Sequence, residues 1–165
     1  MEKVYHTLKP YYNKDSKVLI LGSIPSVKSR GYNFYYMHSQ NRFYKVLAKV
    51  FNAKEPLTIE DKKAFLKINK IALYDVIKSC EIKGSSDETI TNVEVNDLSI
   101  IIDKANIQKI FTTGKKAYDL YKKYLLPTIK KEAIYLPSTS LANCAFSIDD
   151  LVREYKIIKE FINDN

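Results

Sequence analysis

The chain of 165 residues has no tryptophan, four glycines and two cysteines. Its glycines are spaced neither as G-x-x-x-x-G-K-[ST] nor as G-x-G-x-x-G, which excludes a P-loop and the dinucleotide-binding fingerprint. Cys80 and Cys144 lie far apart, without C-x-x-C or histidine partner spacing, so no metal site, redox pair or cofactor is expected. They read as free thiols of a reducing, cytoplasmic compartment. No run of about 18 apolar residues occurs, and the opening "MEKVYHTLKPYY" has no apolar stretch behind a basic one, so no membrane partner is expected. Repeats, low-complexity tracts and linkers are also missing. Residues 1–165 therefore read as a single domain, expected to be a monomer.

What the chain does have is positive charge. Its 27 Lys and Arg against 19 Asp and Glu leave a formal charge of +8. That balance favours a polyanionic partner such as nucleic acid, although heavy use of Lys, Ile, Asn and Tyr throughout accounts for it equally well.

Four apolar runs, "KVLILGS" (17–23), "IALYDVI" (71–77), "QKIFTTG" (108–114) and "EAIYLPS" (132–138), suit strands buried on both faces of a parallel sheet. Helical patterns alternate with them. Phe43, Val46, Leu47, Val50 and Phe51 form one face of a helix over about 42–52. Thr58 reads as the N-cap of "IEDKKAFLKIN", with acidic residues in its first turn where the helix dipole favours them. Asn96 reads as the cap of "DLSIIIDKA". A last helix starting near Ser147 puts Leu151, Tyr155, Ile158 and Ile162 on one face. The alternation implies an α/β fold with a central four-stranded parallel sheet between two helical layers.

The stretches 23–40 and 79–95 read as the longest loops. Both leave the carboxyl ends of strands, where ligands bind in open α/β sheets, and "TGKK" and "PSTSLAN" open on the same edge. In "LGSIPS", Gly22 allows a close backbone approach and Pro25 stiffens the exit. An ordinary tight turn explains that stretch alone. Lys115 and Lys116 sit at a helix start, where backbone N–H groups could hold a phosphate, or are simply solvated. Ser138, Thr139 and Ser140 could grip phosphates, and Leu141 could wedge into a base stack or return to the core.

Taken in order, "GSIPS" (22–26), "YYMHSQNRFY" (35–44), "LYDVIKSCE" (73–81), "TGKKA" (113–117) and "LPSTSLA" (136–142) resemble the hypoxanthine-DNA glycosylase branch of the uracil-DNA glycosylase superfamily. That branch carries Gly-Ser-Met-Pro, Tyr-Tyr-Ala-His-Pro-x-Asn-x-Phe-Trp, Leu-Trp-Asp-Val, Asn-Gly-Lys-Lys-Ala and Leu-Pro-Ser-Thr-Ser-Pro-Ala in the same order. Ser39, Tyr44, Thr113 and Leu141 depart from it. Ile24 and Leu136 stand where many superfamily members carry a polar or acidic residue and a histidine.

The resemblance implies a monofunctional enzyme that flips a deaminated base out of double-stranded DNA and hydrolyses its glycosidic bond, hypoxanthine being the first expectation. Uracil in mismatches is the alternative, since the "NRF" asparagine also occurs in the mismatch-specific uracil branch. A silent DNA-binding α/β domain is the third. Asn41 would place the attacking water, unless its amide is taken by the helix cap. His38 would donate to base or phosphate, and Asp75 would read the base or cap its loop. Gly22, Ser23, Ile24, Pro25, Tyr35, Tyr36 and Phe43 would line the pocket. Lys115, Lys116, Ser138, Thr139, Ser140 and Leu141 would meet the DNA. Asn41, Asp75 and Ser138 should share one cavity.

Overall fold

A computed structural model describes residues 1–84 and 86–162; Ser85 and the last three residues of the expected 1–165 domain lie outside the described residues. Its centre is a parallel sheet of β2 (Val18–Gly22), β3 (Ile71–Asp75), β6 (Lys109–Thr113) and β7 (Ala133–Leu136), in the order β3-β2-β6-β7. These are the four expected strands. Every residue of β2 is buried, and its side chains divide by the two-residue period: Val18 and Ile20 enter one core, Leu19 and Leu21 the other. A strand with two dry faces has no polar side to alternate, which is why it is written as a continuous apolar run.

The first core is closed by α2 (Phe43–Val50), α3 (Ile59–Ile68) and α7 (Ile148–Tyr155), whose chain runs on through a 3₁₀ turn into α8 (Lys159–Ile162). Leu151, Tyr155, Ile158 and Ile162 are all buried, as the periodicity requires. Each fully buried Leu or Ile contributes about 1.5–3 kcal/mol through water exclusion. Thr58 Oγ1 accepts from Asp61 N–H at 3.0 Å, and Ser147 closes a reciprocal capping box with Asp150. The second core is covered by α4 (Ser99–Lys104) and by α5 (Lys115–Leu120), which continues through one π-helical turn into α6 (Leu126–Ile129). The result is the expected three-layer arrangement.

Three expectations fail in instructive ways. The stretch 23–40 contains a short helix, α1 (Val27–Tyr32), capped by Ser26, whose Oγ accepts from Ser29 N–H at 3.1 Å. The stretch 79–95 is not a loop: β4 (Ile77–Ile82) and β5 (Thr91–Val95) pair antiparallel, and β1 (Glu2–Tyr5) adds to them in the order β1-β4-β5. Asn96 caps no helix. Its buried amide donates to the carbonyls of Asp75 (2.9 Å) and Ile77 (3.0 Å), and the turn into α4 uses Asp97 Oδ1, which accepts from Ser99 N–H.

That second sheet has a positional consequence. The chain leaves β3 at Asp75 and enters β4 at Ile77, with Val76 N–H donating to Gly22 O and Ile77 N–H to Ser23 O. Asp75 therefore stands at the seam between the sheets, directly over the end of β2.

Candidate active site

Gly22 ends β2 among polar atoms. A β-carbon there would lie 2.7 Å from Asp75 Oδ1, 3.4 Å from Tyr36 Oη and 3.7 Å from Thr113 Oγ1. The glycine is required by this close approach, not by an unusual backbone angle. Asp75 is 3 % exposed, and its Oδ2 is 2.8 Å from Nε2 of His6, a residue just beyond β1 whose side chain is likewise shut from solvent. A carboxylate has no proton to give, so His6 donates through Nε2–H, leaving Oδ1 as an acceptor aimed toward Gly22. The edge of the His6 ring meets Tyr74, with centroids 5.0 Å apart at 84°.

Tyr36 reaches this cluster from the segment before α2. Its φ of 57° is left-handed, a conformation that costs a non-glycine residue on the order of 1–3 kcal/mol. The turn lays its ring flat on Phe43 at 3.7 Å and 12°, and its hydroxyl lies 3.3 Å from Thr113 Oγ1. Burial, and then the Asp75 charge, push the Tyr36 pKa up, so the group stays a neutral hydroxyl. Tyr35, by contrast, points into the core: it is 2 % exposed and its hydroxyl donates to Lys9 O.

A second cluster joins α2 to the stretch after β7. Asn41 precedes the N-cap position, which Arg42 occupies. Asn41 Oδ1 accepts from Phe43 N–H at 2.9 Å and from Thr139 Oγ1–H at 2.8 Å. The amide oxygen is thus engaged twice, in a local turn and in a bond across to the stretch after β7. Arg42 donates through its backbone N–H and Nε to Thr139 O, and through its guanidinium to the carbonyls of Ser140, Asn143 and Phe146. One arginine therefore pins the whole 139–146 turn, for which its five fixed donors suit it. Thr139, expected to meet phosphates, is 2 % exposed and gives its hydroxyl to Asn41.

Other expected residues divide. Ile24 packs against the satellite core of Val4, Ile77, Cys80, Ile82 and Ile90, and Pro25 is buried, its carbonyl accepting from Arg30. Ser138 Oγ accepts from Ser140 N–H, Ser140 Oγ accepts from Ala142 N–H, and Leu141 is 48 % exposed. His38 is exposed, its Nδ1 accepting from Gln40 N–H. Lys115 is solvated and paired with Asp119 on its own helix, whereas the charge of the half-buried Lys116 acts on Asp87. A cavity of about 320 Å³ beside Asn41 is lined by Ser39, Gln40, Arg42, Lys45, Glu55 and Leu141. Asp75 and Ser138 do not line it, so the expected single cavity is not found there.

Three residues that sequence reasoning missed complete the rim. His6 and Arg42 are two. The third is Asp87, on the 3₁₀ turn Asp87–Thr89, whose Oδ1 accepts from Ser23 Oγ–H at 2.8 Å. Arg42 alone had a visible signal, since it lies inside "NRF".

The profile of the uracil DNA glycosylase superfamily matches residues 9–159. A hypoxanthine DNA glycosylase of Methanosarcina acetivorans is 33% identical over 137 residues, covering 82% of this chain and 85% of that protein. A protein of the same name from Methanosarcina barkeri is 33% identical over 110 residues, covering 66% and 70%. A solution NMR structure from Methanosarcina acetivorans, provisionally described as a uracil DNA glycosylase, superposes with a TM-score of 0.78 at 29% identity, covering 94% of this chain and 98% of that one. The chain belongs to the uracil DNA glycosylase superfamily. Its class is therefore that of DNA glycosylases, which cleave the N-glycosyl bond between a base and its deoxyribose. Among the described residues no helix is long and apolar enough to cross a membrane.

Proposed function

We propose that this glycosylase removes hypoxanthine from double-stranded DNA, with Asp75 reading the flipped base. The observation that carries the reading is the buried Asp75 carboxylate, tied by His6 at Oδ2 so that Oδ1 is left as an acceptor over Gly22. Deamination turns the N1 of adenine from an acceptor into an N–H donor. An acceptor-only group in the pocket therefore welcomes hypoxanthine and repels adenine. A site built to bond one such hydrogen rejects an analogue lacking it by about 10⁴-fold or more. Uracil presents the same kind of N–H at N3, so this contact selects deaminated bases as a class; the curated relatives, both named for hypoxanthine, favour the purine.

The base must first leave the stack. Exposed Leu141 is suited to fill the gap, with Lys116, Ser138 and Ser140 meeting the backbone. Tyr36, backed by Phe43, offers a flat aromatic surface for the extruded ring. Asn41 has its oxygen engaged by Phe43 and Thr139, so its Nδ2 group, without a hydrogen-bond partner among the described residues, is what remains to hold the attacking water by the water's oxygen.

The test is a panel of duplexes, each containing deoxyinosine, deoxyuridine, deoxyxanthosine or deoxyadenosine, treated with alkali to reveal abasic sites. Release from deoxyinosine, with deoxyadenosine untouched, is expected. Release from deoxyuridine alone would overturn the hypoxanthine assignment.

A further inference from the structure

The first strand-to-helix turn, just after β2, carries Ile24. Ile24 is packed into the satellite core and can supply nothing to a reaction. The same turn nevertheless carries a carboxylate, brought from the second sheet: Ser23 Oγ–H, 7 % exposed at residue level, donates to Asp87 Oδ1 at 2.8 Å. The other oxygen, Oδ2, has no hydrogen-bond partner among the described residues. Asp87 is half-buried and held on its short turn by Ile90, whose side chain is part of the satellite core.

We propose that Asp87 is the carboxylate of the hydrolytic step, taking the proton of the attacking water and countering the positive charge that grows on the sugar. The inference rests on the glycosylase class of the chain and not on which base is released. As the C1′–N bond breaks, its electron pair leaves with the base, which takes up a proton from solvent. A water oxygen bonds to C1′, and one of its protons passes to Asp87 and on to solvent, leaving an abasic sugar. A negative charge beside an oxocarbenium-like centre is what other glycoside cleavages employ.

The surroundings of Asp87 suit a base. Burial raises its pKa above the ordinary carboxylate value; the Ser23 hydrogen bond and the Lys116 charge oppose that rise, and the charge of Asp75 adds to it. The groups that interact with it are Ser23 from the end of β2, Lys116 from α5, Asp75 from β3 and Cys80 from β4. An acid whose pKa is raised by folding holds its proton more tightly in the folded state. Stability is then full below the unfolded pKa and is lost as pH rises through the window up to the folded pKa. Burial of the charged Asp87 therefore works against the fold, offset only in part by the Ser23 hydrogen bond and the Lys116 charge, a pattern usual for functional carboxylates.

Asp87→Asn tests this cleanly, because the amide oxygen can still accept from Ser23 and keep the turn. With purified full-length protein and whichever of the four duplexes the wild type cleaves, three quantities are read: single-turnover rate across about pH 5–9, duplex Kd, and Tm. The variant is expected to lose at least about 100-fold in rate, within the range for a general base. Its Kd should stay within about threefold, its Tm should be unchanged or higher, and the acid limb of the wild-type profile should vanish. Asp87→Glu should recover part of the rate. An Asp87→Asn protein with rate within about threefold of wild type overturns the proposal, as does one whose rate loss is matched by a lower Tm. A wild type that releases no base from any of the four duplexes overturns the glycosylase reading, and this proposal with it.

Discussion

Two regions of the rim use polar side chains in opposite ways. Around Asn41, Arg42 and Thr139, nearly every donor and acceptor is satisfied by another part of the protein, and the product is a fixed joint between α2 and the turn after β7. Around Gly22, the groups are gathered but left partly unspent: Asp75 gives only Oδ2 to His6 and turns Oδ1 toward Gly22, and Asp87 has one oxygen bonded to Ser23. The lesson is that motif residues are not equally available for chemistry. The joint contains the most recognisable triplet, "NRF", and does mostly mechanical work. The gathered carboxylates come from segments that carry little sequence signal.

The sharpest way to break the comparison is at the joint. Arg42→Ala removes the side-chain donors to the carbonyls of Thr139, Ser140, Asn143 and Phe146, of which the first three keep a backbone N–H, and should lower stability by about 3 kcal/mol, read by urea unfolding, since bonds to charged groups contribute about 1.5–3 kcal/mol apiece. A loss below about 1 kcal/mol would mean the turn holds itself. At the other region, Gly22→Ala forces a methyl against Asp75 Oδ1, and a displacement of about 1 Å in a reacting group costs on the order of 100-fold in rate. Excision should fall by about that factor in single-turnover assays, with less unfolding than Arg42→Ala causes.

Asn41→Ala sharpens the boundary between the two. It removes the acceptor for Phe43 N–H and Thr139 Oγ1–H, so about 1 kcal/mol of stability should go together with base release. Thr139→Val keeps Asn41 but breaks the joint's side-chain bond; if Asn41 acts on water, this variant should retain most of its rate, whereas equal losses would make Asn41 purely a clamp. Leu141→Ala should slow excision by about three- to tenfold without moving Tm, because the side chain is already 48 % exposed. The smallest effect belongs to Lys115→Ala, where a solvated charge paired along its own helix should leave Tm unchanged and duplex binding within about twofold.

How much of this was legible in the sequence follows the same division. The parallel sheet and its helices were, because β2, β3 and β6 are buried along nearly their whole length, α2 and α7 show clear apolar spacing, and Thr58 and Ser147 stand at the starts of α3 and α7. The second sheet was not. Its β5, "TNVEV", has no fully buried residue, β1 buries only Val4, and β4 meets β5 through irregular register, so the two-residue period is blurred. His6 could not be found, since its place beside Asp75 depends on β1 pairing with β4 far along the chain, Val4 opposite Cys80. Asn96 looked like a cap because asparagine before a helical pattern usually is one; the buried carbonyls of Asp75 and Ile77 claimed its amide instead.

The account turns on an acceptor at Asp75, and one substitution inverts it. In Asp75→Asn, the His6 Nε2–H would hold the amide oxygen, so the new NH₂ group would face the base and oppose a ring N–H. Single-turnover excision from a deoxyinosine duplex is predicted to fall at least about 100-fold, with Tm retained. An Asp75→Asn enzyme that released hypoxanthine within about threefold of the wild-type rate would contradict the reading of the base by this carboxylate.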